Sequence, residues 1–388
     1  MASLGLLSFS AVYNHLLVSP VLVEIAREMG VSVGTAGLLV TAYGLPGIVV
    51  GVLAGPLSDR YGRKPFLVGG TVVMSALTLL GAVAPGFAHL LLTRVGAGVG
   101  ASVLFPNMNA TVADEFPYQE RGRAMSTIIS LNQLAAIVGV PLAGIIASAT
   151  SWRVSFALIG VIGLVAAAIV LRTARGSAPP GASDVPVREL YAGILADTSV
   201  KGAMASSLLG SLFWFTWITY MVAFFVERYG LPTATASLVV LVTGVGIVGG
   251  SQVGGRLGDR FGHRVVVGWT IVFAGVALLA QTAVVRELWL AAVLALAIAL
   301  LSGARFAGSM TLVSELAPAA RGTVLSVNSA IVSIGIVVGT SVGGVLVDGY
   351  GYEALGAMAT IAGFASALIV WRFVTERAAG FAAGESVD

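Results

Sequence analysis

The sequence predicts an all-α membrane protein, with twelve transmembrane helices in two pseudo-symmetric six-helix bundles. Three observations carry that expectation. The 388-residue chain is 57% hydrophobic and only 10% charged, with mean hydropathy +0.97. A soluble domain carries about 25% charged residues, so this chain could not cover itself with polar groups in water. Twelve apolar runs have the length of a spanning helix, about 20 residues. The chain also repeats itself at an offset of 200: Gly55, Leu57, Asp59, Arg60 and Gly62 return as Gly255, Leu257, Asp259, Arg260 and Gly262. In the same register Glu115, Arg121, Gly122, Ser126, Gly139 and Gly144 match Glu315, Arg321, Gly322, Ser326, Gly339 and Gly344. A tandem repeat in so apolar a chain points to a transporter with its site between the halves.

The predicted spans are 4–26, 33–55, 65–84, 88–112, 122–148, 152–171, 202–226, 233–255, 265–284, 288–313, 322–347 and 353–374. The first run has no positive segment before it and no small-residue cleavage site after it, so it reads as a retained helix. The 50 glycines suit close approach of helix backbones in lipid. These spans give an N-terminal bundle over 1–171 and a C-terminal bundle over 202–374. Between them, 172–201 reads as a cytoplasmic linker with Pro179-Pro180-Gly181 and a short interfacial helix over 187–196. Residues 375–388 form a small polar cytoplasmic tail. With both termini in the cytoplasm, 15 of the 21 Lys and Arg residues fall on that side and 4 on the other. That bias sets the orientation, and it requires an even number of spans.

Composition excludes several chemistries. There is no Cys, so disulfides, thiolate metal sites and Cys nucleophiles are ruled out. His15, His89 and His263 are scattered, which argues against a metal site. A net charge of +3 gives no reason to expect nucleic acid. Gly244-Val245-Gly246-Ile247-Val248-Gly249 matches a dinucleotide fingerprint, but it lies inside an apolar span without βαβ context. The two lysines, Lys64 and Lys201, follow no phosphate-cradling loop. The chain is therefore read as no enzyme, with no cofactor. The partners expected are a small-molecule substrate, protons and the lipid bilayer, and the chain is read as a monomer.

Ionisable groups at membrane depth are costly and generally face a cavity or a partner. Arg305 lies ten residues before Glu315, about 15 Å along a helix, and its first-half counterpart is Phe105. It either binds an anionic or carbonyl-bearing substrate or is neutralised by a structural partner. His15 stands beside Asn14 in the first span, and their counterparts in the repeat are Phe215 and Trp214. It either exchanges protons or substrate contacts, or is a neutral hydrogen-bonded His. Asn107, Asn132 and Gln133 add neutral polar groups to spans 4 and 5. Trp214, Trp217 and Tyr220 share a helix face by their spacing. That wall, with Tyr43, suits an amphipathic small molecule, or alternatively packs against lipid. The central third of the spans contains no Asp or Glu. This tilts the reading toward neutral or anionic substrates over cations.

The charged island Gly55–Lys64 has its own physics. Gly55 and Gly62 allow a sharp turn between helices. Asp59 can accept hydrogen bonds from a neighbouring helix N-terminus. Arg63 or Arg123 can pair with Asp114 or Glu115 at the end of span 4. Such contacts would hold one arrangement of helices and break in another, although Arg60, Arg63 and Lys64 also set topology. In span 5, Pro141 removes a backbone donor while Gly139 and Gly144 permit close packing.

Two six-helix halves with this loop after the second helix resemble the major facilitator superfamily. The run Arg94-Val95-Gly96-Ala97-Gly98-Val99-Gly100 is similar to the span-4 motif of its drug and metabolite exporters, with Ala97 where Gln is usual. Gly139-Val140-Pro141-Leu142-Ala143-Gly144, followed by Ser151-Trp152-Arg153, resembles the antiporter motif of its sugar, purine and drug efflux branch. The resemblance implies proton-coupled efflux by alternating access, a gating role for Gly55–Lys64 with its repeat Asp259 and Arg260, and a proton-coupling role for Arg94. An organic-anion symporter or facilitator using Arg305 is the alternative. A non-transporting membrane sensor is a third class, for which no segment is long enough to form an extramembrane domain.

Overall fold

The structure is a computed structural model describing residues 2–115, 127–128, 130–173, 197–316 and 321–375. The described elements are helical throughout. Among the described residues ten segments are long and apolar enough to cross a membrane: Ser3–Met29, Arg63–Ala82, Phe87–Val112, Ser130–Ala149, Trp152–Thr173, Thr198–Tyr229, Thr233–Phe261, His263–Val284, Leu288–Val313 and Val327–Phe373. The last is two helices broken at Gly351, where φ is 79°. The remaining span begins at Val33, passes a 3-10 turn over Leu45–Ile48 that contains Pro46, and continues as Val50–Tyr61. Numbered in chain order, these make spans 1 to 12.

Several helices run past the apolar stretches that predicted them. Span 2 continues to Tyr61 and span 8 to Phe261, where 55 and 255 were predicted. Hydropathy marks only the lipid-immersed part, whereas backbone hydrogen bonding carries on through the charged last turn. Gly55 is therefore inside a helix, and the turn between spans 2 and 3 is Gly62 alone. Its φ of 88° lies where L side chains are strained, and Gly262 repeats it at 91°. The interfacial helix expected over 187–196, the residues Arg121 and Arg123, and the tail beyond 375 lie outside the described residues.

Two faces can be distinguished. The terminal face carries the start of span 1, Gly62, Gly262 and the end of span 12. The far face carries the opposite ends. One hydrophobic core lies toward the far face and joins both halves, bringing Leu17, Leu22 and Leu39 together with Phe213, Trp217 and Phe224. Toward the terminal face the core divides. Leu7, Leu67, Met74 and Leu104 belong to the first half alone, and Met204, Leu312, Val324 and Val370 to the second alone. The halves are thus fused at one face and separately packed at the other.

Each half ties its first and last helices together at the far face. In the first, Arg153 Nε donates to Glu28 at 2.9 Å and Trp152 Nε1 donates to Glu28 at 2.6 Å. The Arg153 guanidinium also caps the end of span 3 through the carbonyls of Ala82 and Ala84 at 2.9 and 3.0 Å. In the second, Arg228 donates to Glu353 at 2.9 Å and Tyr352 donates to Glu227 at 2.9 Å. The ion pair and the aromatic donor are at the same positions 200 residues on, with the ion pair reversed in polarity, and the carboxylate that accepts from the aromatic moves by one residue, from Glu28 to Glu227.

Candidate functional site

The polar centre of the first half is assembled around Arg94. Its side chain is fully buried, donating to Asn14 Oδ1 at 2.8 Å and to the Asn14 carbonyl at 3.2 Å. Asn14 in turn donates to Thr78 Oγ1 at 2.7 Å, which ties span 4 through span 1 to span 3. The guanidinium stands over the Tyr43 ring at 4.2 Å and near Phe156 at 5.8 Å. A desolvated cation over an aromatic face is worth about 2 kcal/mol. No carboxylate among the described residues pairs with Arg94, and its Nε has no acceptor. The charge is held by carbonyls and ring faces.

His15 comes next to this network on span 1. Its ring meets Tyr43 edge-on at 5.5 Å and Phe215 edge-on at 5.4 Å. Phe215 is the residue 200 positions after His15. In a structure with approximate two-fold symmetry, a residue can touch its own counterpart only beside the axis. His15 therefore lies at the centre of the molecule, between the halves, half-buried and with Nε2 unpartnered.

The remaining sequence-predicted residues distribute unevenly. Trp214 is half-buried next to Phe215. Trp217 is buried and packs edge-on against Phe224, and Tyr220 is fully buried with its hydroxyl donating to the Thr340 carbonyl at 2.8 Å. The aromatic wall anticipated over the three is therefore divided between centre and core. Arg305 is buried and donates to the Ser206 carbonyl at 2.7 Å and to Ser366 at 3.4 Å, both in the second half. Asn107 is buried and donates to the Val103 carbonyl of its own helix at 2.7 Å. Asn132 accepts from Ser8 of span 1. Gln133 is half-buried two residues before a π turn over Ala135–Gly139. That turn directly precedes Pro141, whose missing N–H and bulky ring disfavour a regular α ladder. Gly139 packs on the Tyr13 ring, and Gly144 lies against Ser237 of the other half.

At the terminal face, Arg63 donates to Ser58 at 2.7 Å. Arg60 and Arg260 each lie over the next aromatic ring, Tyr61 and Phe261, at 5.6 and 5.1 Å. Asp259 is 3.7 Å from His263. Asp59, Asp114 and Glu115 are in helices, and their side chains lie outside what is described, as does Arg123.

Sequence reasoning passed over two features. Phe215 was noted only as a counterpart of His15, although its role follows from the repeat once the axis is recognised. The other is a polar seam between the halves toward the far face. There Asp348 accepts from Ser32 and Gly34, and Thr41 bonds Thr340 at 2.7 Å and Ser341 at 3.0 Å. Exposed Asp and Ser at helix ends carry no sequence signal of a partner 300 residues away.

Twelve spanning helices in two repeated bundles are the architecture of a membrane transporter. The model describing the Major Facilitator Superfamily matches residues 4–254 and 229–386, and the chain belongs to that family. It is 28% identical over 369 residues to the MFS-type transporter YceJ of Bacillus subtilis (strain 168), covering 91% of this chain and 89% of that one. It is 29% identical to the inner membrane transport protein YdhP of Escherichia coli O157:H7, covering 89% and 88%. A chloramphenicol resistance protein of Streptomyces lividans is 28% identical over 63% of this chain and 65% of its own. Among solved structures, a bacterial homolog of the human lysosomal transporter Spinster, inward-facing and unoccupied, superposes with TM-score 0.74 at 17% identity, covering 95% of this chain and 94% of that one.

Proposed function

We propose that the protein exports a small, amphipathic, uncharged organic molecule in exchange for protons, by rocking its two halves about the centre at His15. The observation that carries this reading is the contact between His15 and Phe215 across the axis, 5.4 Å between ring centroids. An ionisable imidazole beside the axis would be reached from each face in turn during alternating access, which supports this reading. Tyr43, Trp214 and Phe215 supply apolar ring surface there, with Asn14 and Arg94 behind His15 as the polar support. Both faces of such a site suit a neutral molecule with a ring and a few hydrogen-bonding groups. The printed name of the Streptomyces relative, a chloramphenicol resistance protein, agrees with efflux of that kind of molecule. The organic-anion reading depends on Arg305, whose two bonds are made within the second half. It is the weaker of the two.

The terminal face is assigned to the cytoplasm by the excess of Lys and Arg there. The separated cores at that face then correspond to an arrangement open to the cytoplasm.

Chloramphenicol serves as the first probe. In inside-out vesicles an acid lumen should drive its accumulation, and a protonophore should collapse it. His15→Gln should leave equilibrium binding within about twofold while flattening the dependence of flux on the pH gradient. Chloramphenicol binding with gradient-independent flux in the unmodified protein would remove proton coupling. A full pH response in His15→Gln would move the proton site away from the axis.

A further inference from the structure

The seam that closes the far face is built around one carboxylate. Asp348, at the end of span 11, reaches across to the start of span 2. Its Oδ1 accepts from the Gly34 amide at 2.8 Å and its Oδ2 from the Ser32 hydroxyl at 2.5 Å. Ser32 is the N-cap of that helix, accepting from Thr35 N at 3.1 Å. Gly34 N is one of the first-turn donors that a helix cannot satisfy internally, and an anion there is favoured by the helix dipole. Close approach makes the reach possible. A Cβ on Gly34 would strike the Gly344 carbonyl and the Asp348 carboxylate, and one on Gly344 would come within 2.6 Å of the Gly34 carbonyl and the Tyr220 hydroxyl. No other carboxylate among the described residues bonds across the halves. The symmetry-related seam, between spans 5 and 8, lacks the device: Ser148 stands at the Asp348 position and Pro232 at the Ser32 position.

We propose that Asp348 is the latch of the far-face gate: its two bonds to the start of span 2 hold the halves closed there, and their rupture is the step that admits the far-face-open state. Below the latch the seam is made of neutral hydroxyl pairs and glycine contacts, such as Thr41 with Thr340 and Gly37 with Tyr220. These are weaker and are replaced by water when the halves part. Bonds to a charged acceptor are about twice as strong as neutral ones. Removing the carboxylate therefore shifts the equilibrium toward opening without touching the central site. The proposal rests on the transporter fold and is independent of substrate, proton coupling and direction of transport.

The chain has no Cys, so single reporters are clean. Thr41→Cys, half-buried in the seam, is labelled in intact cells or oriented vesicles with an impermeant maleimide added at the far face. Adding Asp348→Ala should raise its labelling rate about tenfold, the ratio that about 1.4 kcal/mol of lost contact gives. Asp348→Asn should raise it less, because the amide oxygen still accepts from Gly34 N. Ser32→Ala should also raise it, and it serves if Asp348→Ala does not reach the membrane. A second reporter, Ser75→Cys, is buried within the first half and should stay unlabelled in every background. Unchanged Thr41→Cys labelling in both Asp348→Ala and Ser32→Ala overturns the latch. Labelling of Ser75→Cys in those backgrounds overturns it too, since the effect would then be general loosening.

Discussion

Arg94 and Arg305 show how a cation is held at membrane depth without a carboxylate. Arg94 has the Asn14 amide and carbonyl with two aromatic faces. Arg305 has the Ser206 carbonyl and Ser366, and it lies flat against Gly210, where a Cβ would overlap the guanidinium. Gly210→Ala should therefore be destabilising through overpacking, by about 1–3 kcal/mol, read as a lower Tm of the purified protein. Adding Arg305→Ala should recover part of that loss, because it removes the group the new methyl strikes. A Gly210→Ala protein as stable as the parent would mean that the guanidinium moves freely, and Arg305 would regain its claim to a ligand.

At the scale of elements, the far-face clasps hold the first and last helices of each bundle together. Each joins the end of its first span to the start of its last, Glu28 with Arg153 and Arg228 with Glu353. The charges are reversed between halves because Arg27-Glu28 returns as Glu227-Arg228 and Trp152-Arg153 as Tyr352-Glu353. The reversal leaves one ion pair in each half. These side chains are partly exposed, so the coupling of each pair is about 0.5–1 kcal/mol. Arg228→Glu and Glu353→Arg should each lower Tm, and the double reversal should restore most of it. Two single losses that simply add in the double variant would show that the pair contributes no coupling.

At the scale of the molecule, one core joins the halves toward the far face and two separate cores serve the terminal face. That division lets the halves part at one face while still packed at the other. The face assignment has a direct check. Ser177→Cys and Ala379→Cys should both be protected in intact cells from an impermeant thiol reagent added outside, and labelling of either would reverse the orientation.

The sequence by itself determined the class of this protein. Apolar length is a local property, so the spans could be counted. The offset of 200 is an arithmetic one, so the two bundles could be placed. Gly62 and Gly262 at matching turns, and Arg60 and Arg260 over the following rings, repeat in space as they repeat in the chain. His15 and Asn14 were legible as candidates because polar residues are costly in lipid, whatever they touch, Tyr43 as an aromatic beside them, and Arg94 through the family motif that contains it. Only the tertiary structure decided which of them meet. A helix offers every residue a direction, and the neighbour in that direction comes from elsewhere in the chain. Thus Arg94 found Asn14 and Tyr43, Arg305 found Ser206 within its own half, and Tyr220 was enclosed at the seam. Asp348 had no sequence signal at all, because a carboxylate at a helix end is ordinary until the start of another helix is brought within 3 Å of it.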